Sequence, residues 1–187
     1  HAQHCPTYEF YRGEKVPCFE KVERYDYVIE ALKANGHEVS FATSSANEVL
    51  AQVHSQRYLD FLSSAWSRWL ALDSANASVQ PFPSVWPIRS LRDDKEPDNF
   101  IAQLGLYSMD NGTPMVEGTW QAVKQGADCA ASGASHLATT GRPSFVCSRP
   151  PGHHAGADFM GGYCFLNNAA IAAQTLRNHG AAKVAIL

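Results

Sequence analysis

Phe145 to Asn168, FVCSRPPGHHAGADFMGGYCFLNN, is the stretch on which the reading of this chain turns. Phe145–Cys147 is a short apolar run and reads as a buried strand. Pro150 and Pro151 lack an N–H and stop any ladder there. Gly152 tolerates backbone angles closed to other residues, and His153 and His154 follow at once. In an open parallel sheet, ligands sit just past the carboxyl ends of the strands. Two imidazoles therefore fall where such folds keep their chemistry.

Outward from this stretch, the sequence alternates strands and helices. On its carboxyl side, Asn167 or Asn168 caps a helix through Ala169, Ala172, Ala173 and Leu176, which Gly180 closes. Val184–Leu187 then begins another buried strand. On its amino side, Thr119 serves as N-cap of an alanine-rich helix to about Ala138, ended by Gly141. Further back, Arg57–Leu72 places Tyr58, Phe61, Leu62, Ala65, Trp69 and Leu72 on one helical face. Ser45–Val53 is a short serine-capped helix, and Glu38–Thr43 a short strand. Glu20–Asn35 is a helix with Val22, Tyr25, Val28, Ile29 and Leu32 on one side and Gly36 at its end. His1–Pro17 has no period and reads as a surface loop. Strand–helix–strand order with apolar strands predicts an α/β fold, a parallel sheet flanked by helices.

Asp73–Glu117 breaks the rhythm. It holds Pro81, Pro83, Pro87, Pro97 and Pro114, with Phe82 and Trp86 among them, and a short helix near Pro97–Tyr107. A connection this long has a job or is mobile. Its aromatics are the anchors that interfaces favour, so a homodimer formed through the 73–117 loop is expected. The competing reading folds the loop back on its own domain and buries Trp86 there.

The gross numbers exclude several classes. At 187 residues and 45% hydrophobic content, one domain (1–187) with a real core is the default. Net charge −3 and pI near 6.2 leave no basic footprint for nucleic acid. Cys5, Cys18, Cys129, Cys147 and Cys164 are odd in number and lack a C-x-x-C pair, which indicates reduced thiols. No apolar run is long enough to cross a membrane, and His1–Glu14 has no signal-peptide core. A soluble cytoplasmic protein is the expectation.

The run Arg149-Pro150-Pro151-Gly152-His153-His154-Ala155, followed by Gly161-Gly162-Tyr163-Cys164-Phe165 and Asn167-Asn168, resembles the histone deacetylase and acetylpolyamine amidohydrolase family, most nearly its bacterial acetylpolyamine-acting members. Glu9 to Glu14, Phe19-Glu20, Arg24 and Gly118-Thr119-Trp120 extend the likeness. The resemblance implies an arginase/deacetylase-like α/β domain, here a fragment incomplete at both ends. It implies Zn2+-dependent hydrolysis of acetylated amines, acetylpolyamine or acetyl-lysine. His154 would be general base and acid, and His153 its electrostatic partner. Tyr163 would form one wall of a narrow channel, with the Gly162 carbonyl facing the substrate amide. The family's metal ligands, two aspartates and a histidine, are not in this chain, nor is its late tyrosine. Glu9, Asp110 and Glu117 are the carboxylates that could hold substrate ammonium groups.

Other readings stand beside these. Adjacent histidines in a loop can be solvated polar residues, and Tyr163 a core aromatic on a glycine turn. Cys164 reads as a buried structural thiol. His37, His54, His136 and His179 read as surface or helix histidines. A non-catalytic domain binding a ligand or partner through the same cleft is one alternative, and an arginase-like ureohydrolase another.

Overall fold

The computed structural model describes residues 1–92 and 94–187. Tyr8–Tyr11 (β1) and Glu14–Pro17 (β2) form an antiparallel hairpin. Its two-residue turn, Arg12 and Gly13, has positive φ at both positions, the conformation that fits the twist of paired strands. The expected surface loop over His1–Pro17 is therefore corrected: the segment is ordered and contributes buried side chains, His4 and Glu9. Among the described residues six α-helices follow: α1 (Glu23–Ala34), α2 (Asn47–Val53), α3 (Gln56–Leu72), α4 (Phe100–Leu106), α5 (Thr119–Thr140) and α6 (Asn168–Asn178).

The core lies between α3, α4, α5 and the segment from Met160 to Leu166. Tyr58, Phe61, Leu104, Tyr107, Met160, Phe165, Leu166 and Ile171 are essentially fully buried. Each large apolar side chain so removed from water contributes about 1.5–3 kcal/mol before entropy is charged. The Tyr58 hydroxyl donates to the Phe165 carbonyl at 2.7 Å, so α3 holds the far end of the tandem-histidine segment in place. Helix ends use local chemistry. Asn167 caps α6 through the Ala170 N–H at 2.9 Å, and Gly141 closes α5 in the left-handed region. Thr119 is not the N-cap of α5 but its first residue. Its hydroxyl instead accepts from the Val116 N–H and pairs with His4.

The sheet differs from expectation. Glu38–Thr43, Phe145–Cys147 and Val184–Leu187 form no ladder, and among the described residues only Ser108 and Met160 make an isolated parallel bridge. Phe41 is 96% exposed and Phe145 is 73% exposed, so neither segment is a buried strand. The reason is geometric. A parallel strand needs a non-local neighbour to satisfy its N–H and C=O groups. Glu38–Thr43 is exposed throughout, and Phe145–Cys147 is covered on the side that faces α5. Ser144, Val146 and Ser148 face the small residues Gly133 and Gly126 of α5, while Phe145 points the other way with nothing on it. Helix α1 has the same signature: Val22, Tyr25, Ile29 and Leu32 share a half-buried stripe, yet none is fully covered.

The 73–117 segment returns to its own domain. Gln80 stitches it to the hairpin, accepting from the Thr7 N–H at 2.7 Å and donating to the Tyr8 carbonyl at 2.6 Å. Phe82 packs against Tyr8 and Phe10. The Trp86 indole donates to Ser108 Oγ at 3.2 Å. Arg89 reaches the Leu106 carbonyl and Asp158. Val85, Trp86, Ile88 and Leu91 stay exposed.

His4 gives the fold a pH dependence. Its ring is buried, with Nδ1 3.0 Å from Thr119 Oγ1. Burial, then the nearby Arg149 charge, lowers its pKa from 6.5 to about 3. Between those values the unfolded chain holds a proton that the native chain refuses, so stability must fall as pH drops through that window. The slope from this group is at most about 1.4 kcal/mol per pH unit. Glu20, raised by burial, acts with opposite sign just above its ordinary range. His54, lowered by burial, adds to His4. Urea unfolding at pH 7, 6 and 5 is expected to show a falling midpoint, and His4→Asn to flatten it. An unchanged pH slope in the variant contradicts this.

Candidate functional site

The site begins at a buried guanidinium. Arg149 donates through Nε to the Lys21 carbonyl at 2.9 Å, through Nη1 to the carbonyls of His1 and His4, and through Nη2 to that of Glu20. Its Nε also lies 2.9 Å from Glu20 Oε1, and both side chains are 3% exposed. Burial raises the Glu20 carboxyl more than Arg149 and Arg24 lower it. Arg149 thereby ties the amino-terminal segment to the entry of the tandem-histidine loop.

The loop then turns at Gly152. A Cβ there would lie 2.5 Å from the Leu166 carbonyl oxygen, so only glycine allows the two arms of the loop to touch. Asn167 holds the same closure, its side-chain amide donating to the Ala155 carbonyl at 2.9 Å. The Asn167 backbone N–H donates to His54 Nε2 at 3.0 Å. His54 is buried, not a surface histidine: its ring braces the start of α6 against the residues following the histidine pair. His37, His136 and His179 are exposed.

His153 and His154 stand side by side on this support. Both are exposed, with ring centroids 4.1 Å apart at 50°. His154 lies against Gly162, where a Cβ would fall 2.4 Å from its Cδ2. Gly162 and Tyr163 are the central residues of a tight turn whose flanks, Gly161 and Cys164, exchange both backbone hydrogen bonds at 3.0 and 2.9 Å. Gly162 has φ +54 and Tyr163 φ +67. For tyrosine that conformation costs roughly 1–2 kcal/mol, so its surroundings must hold it.

They do so through four contacts. The Tyr163 hydroxyl donates to Glu9 Oε1 at 2.8 Å. The Tyr163 N–H donates to Thr113 Oγ1 at 3.0 Å. The Gly162 N–H donates to Asp110 Oδ2 at 2.5 Å. Cys164 Sγ lies 3.4 Å from the Gly162 carbonyl oxygen, a weak contact from a thiol whose pKa is raised by burial. Burial, then Glu9, also raises the Tyr163 pKa, so its phenol stays protonated and remains a donor.

Three carboxylates expected at a cleft mouth therefore differ in placement. Glu9 is 1% exposed, with its other oxygen taking the Phe19 N–H at 3.1 Å. It reaches the site only through Tyr163. Asp110 is committed to Gly162, Gly112 and Thr113. Glu117 is exposed. Sequence reasoning missed the roles of His54 and Thr113. Thr113 carried no signal beyond its position just before Pro114.

Among the described residues, no group of three or more histidines, cysteines, aspartates or glutamates is placed to hold a metal ion. The site assembled by this chain is thus two neighbouring imidazoles beside a rigid aromatic turn. It can move protons, and a protein metal site needs more ligands than it offers.

A profile of the histone deacetylase domain matches residues 18–187. The chain belongs to the histone deacetylase family. It is 47% identical over 188 aligned positions to acetylpolyamine amidohydrolase 2 of Pseudomonas aeruginosa, covering 100% of this chain and 54% of that protein. It is 39% identical over 180 positions to the acetylpolyamine amidohydrolase of Mycoplana ramosa, covering 96% of this chain and 52% of that one. The crystal structure of an acetylpolyamine aminohydrolase from Burkholderia pseudomallei superposes with a TM-score of 0.86 at 31% identity, over 96% of this chain and 52% of that one. The deacetylase-family chain thus spans about half the length of the curated relatives it matches. Its fold is that of the deacetylase domain, helix-rich here with a small sheet, as an incomplete α/β domain would be.

Proposed function

We propose that this chain is the proton-handling half of a hydrolase that cleaves the acetyl amide of acetylated amines. The observation that carries the reading is the exposed pair His153–His154, rings 4.1 Å apart, with His154 seated on the Gly162–Tyr163 turn. Amide hydrolysis needs a base to take a proton from water and an acid to protonate the departing amine. Imidazole serves both tasks near neutral pH. His154 accepts the proton as water oxygen bonds to the acetyl carbon. It returns that proton to nitrogen as the C–N bond breaks, leaving acetate and a free amine. His153 adjusts the charge beside it. Tyr163 presents a flat face to the alkyl chain of the substrate.

Among the described residues, no group of histidines, cysteines and carboxylates makes a zinc site. The family resemblance still implies Zn2+, with its ligands supplied by sequence beyond these residues. A second reading is a non-catalytic domain that binds a ligand or partner through the same cleft, on the exposed face of the His153–His154 pair. Acetate release by the full-length protein, from an acetylated diamine and from an acetyl-lysine peptide, separates them. Release from either supports the hydrolase and ranks the substrate class. Release from neither, with metal bound, overturns it.

The reading extends to setting and assembly. No helix of the described residues is long and apolar enough to cross a membrane, and the widely spaced free thiols suit a cytoplasmic enzyme. A homodimer through the 73–117 loop rests on the exposed Val85, Trp86, Ile88 and Leu91. Phe82 and the polar face of Trp86 are spent on the loop's own domain. Sedimentation of the full-length protein is expected to give a dimer that Trp86→Asp with Ile88→Asp dissociates. A dimer unmoved by both changes contradicts this.

A further inference from the structure

We propose that Asp110 and Thr113 are positioning residues that hold His154 in place through the Gly162–Tyr163 turn, an inference that rests on the hydrolase reading above. Met109 N–H donates to the Met160 carbonyl at 2.9 Å, and Met160 N–H to the Tyr107 carbonyl at 2.8 Å. This short parallel contact carries Asp110 directly beside Gly162.

Two consecutive left-handed residues point successive N–H groups the same way, an arrangement that suits anionic or strongly accepting oxygens. Here those N–H groups are taken by side chains. Gly162 N–H goes to Asp110 Oδ2 at 2.5 Å, and Tyr163 N–H to Thr113 Oγ1 at 3.0 Å. The Thr113 hydroxyl in turn donates to Asp110 Oδ1 at 2.9 Å, and the Gly112 N–H reaches the same oxygen at 3.0 Å. The two acceptors thus form one linked unit, with Thr113 buried. The unit uses both carboxylate oxygens as acceptors. Asparagine has one acceptor oxygen and must present an N–H to one side, so it cannot replace aspartate here.

The consequence for chemistry is spatial. His154 rests on Gly162 with no room for a methyl group between them. If the turn relaxes, the ring loses its backstop. A displacement of about 1 Å at a reacting group can cost roughly 100-fold in rate. Aspartate and threonine therefore act through His154 and touch no reacting atom.

Two measurements test the proposal. In the 187-residue chain, exchange of the Gly162 amide proton is expected to speed up at least about 10-fold in Asp110→Asn, while the Ala170 amide at the α6 cap is unmoved. Unchanged Gly162 exchange overturns the clamp whatever the protein's activity. In the full-length protein, Asp110→Asn is expected to lower kcat about 10- to 100-fold with KM within about 3-fold. In a His154→Ala background the same change should cost less than about 3-fold, because the group being positioned is gone. An equal loss in both backgrounds overturns the positioning role. Failure of His154→Ala to affect turnover is a separate result that removes the hydrolase reading itself.

Discussion

His154→Ala in the full-length protein is expected to lower kcat for an acetylated amine by about 10²–10⁴-fold, the range a positioned general acid–base contributes. KM should change little, because the imidazole acts on the travelling proton and not on the bound acetyl group. The fold should survive. His154 is exposed, and its side chain is not part of the buried core. Its removal opens space over Gly162 without uncovering the core. His153→Ala is expected to cost less, since its role is electrostatic. The comparison is made at equal bound metal and equal thermal midpoint. Turnover within a few-fold of wild type under those conditions contradicts the assignment.

Arg149→Ala is expected to destabilise the chain by about 3–5 kcal/mol, the cost of removing one partner of a buried ion pair. That is a large share of the roughly 5–15 kcal/mol typical of a folded domain, about a fifth at the least. Glu20 keeps its buried carboxylate and loses the guanidinium 2.9 Å away. The carbonyls of His1, His4, Lys21 and Glu20 lose their donor together. Arg24, 3.5 Å from Glu20 and largely exposed, cannot take over. Adding Glu20→Gln to the alanine variant should restore part of the loss by neutralising the stranded charge. Arg149→Lys should fall between, because an ammonium lacks the fork that spans several carbonyls. Urea unfolding measures all three, and a loss under about 1 kcal/mol for alanine contradicts the prediction.

What could be read from the sequence follows the range of the forces involved. Helix positions were legible because capping and apolar periodicity are local: Asn167 and Gly141 sit within their own helix ends. The tandem-histidine loop was legible because its proline and glycine spacing restricts the backbone directly. The strands were only half legible. Phe145–Cys147 has the composition of a buried strand, but burial depends on neighbours far along the chain, and here only α5 covers one side. Glu9 was visible as a carboxylate and not as the partner of Tyr163, which lies 154 residues away. His54 looked like any helix-end histidine until Asn167 and Ala157 closed over it. The hairpin at Arg12–Gly13 lacked the Asn-Gly signal that usually announces such turns.

Acetate release from an acetylated diamine, measured side by side for the 187-residue chain with added Zn2+ and for the full-length protein, tests the central claim most directly. Turnover by the full-length protein, and none by the shorter chain, is expected if these residues supply the proton-handling histidines and no metal site. Turnover by the shorter chain alone, or none by the metal-loaded full-length protein, contradicts it.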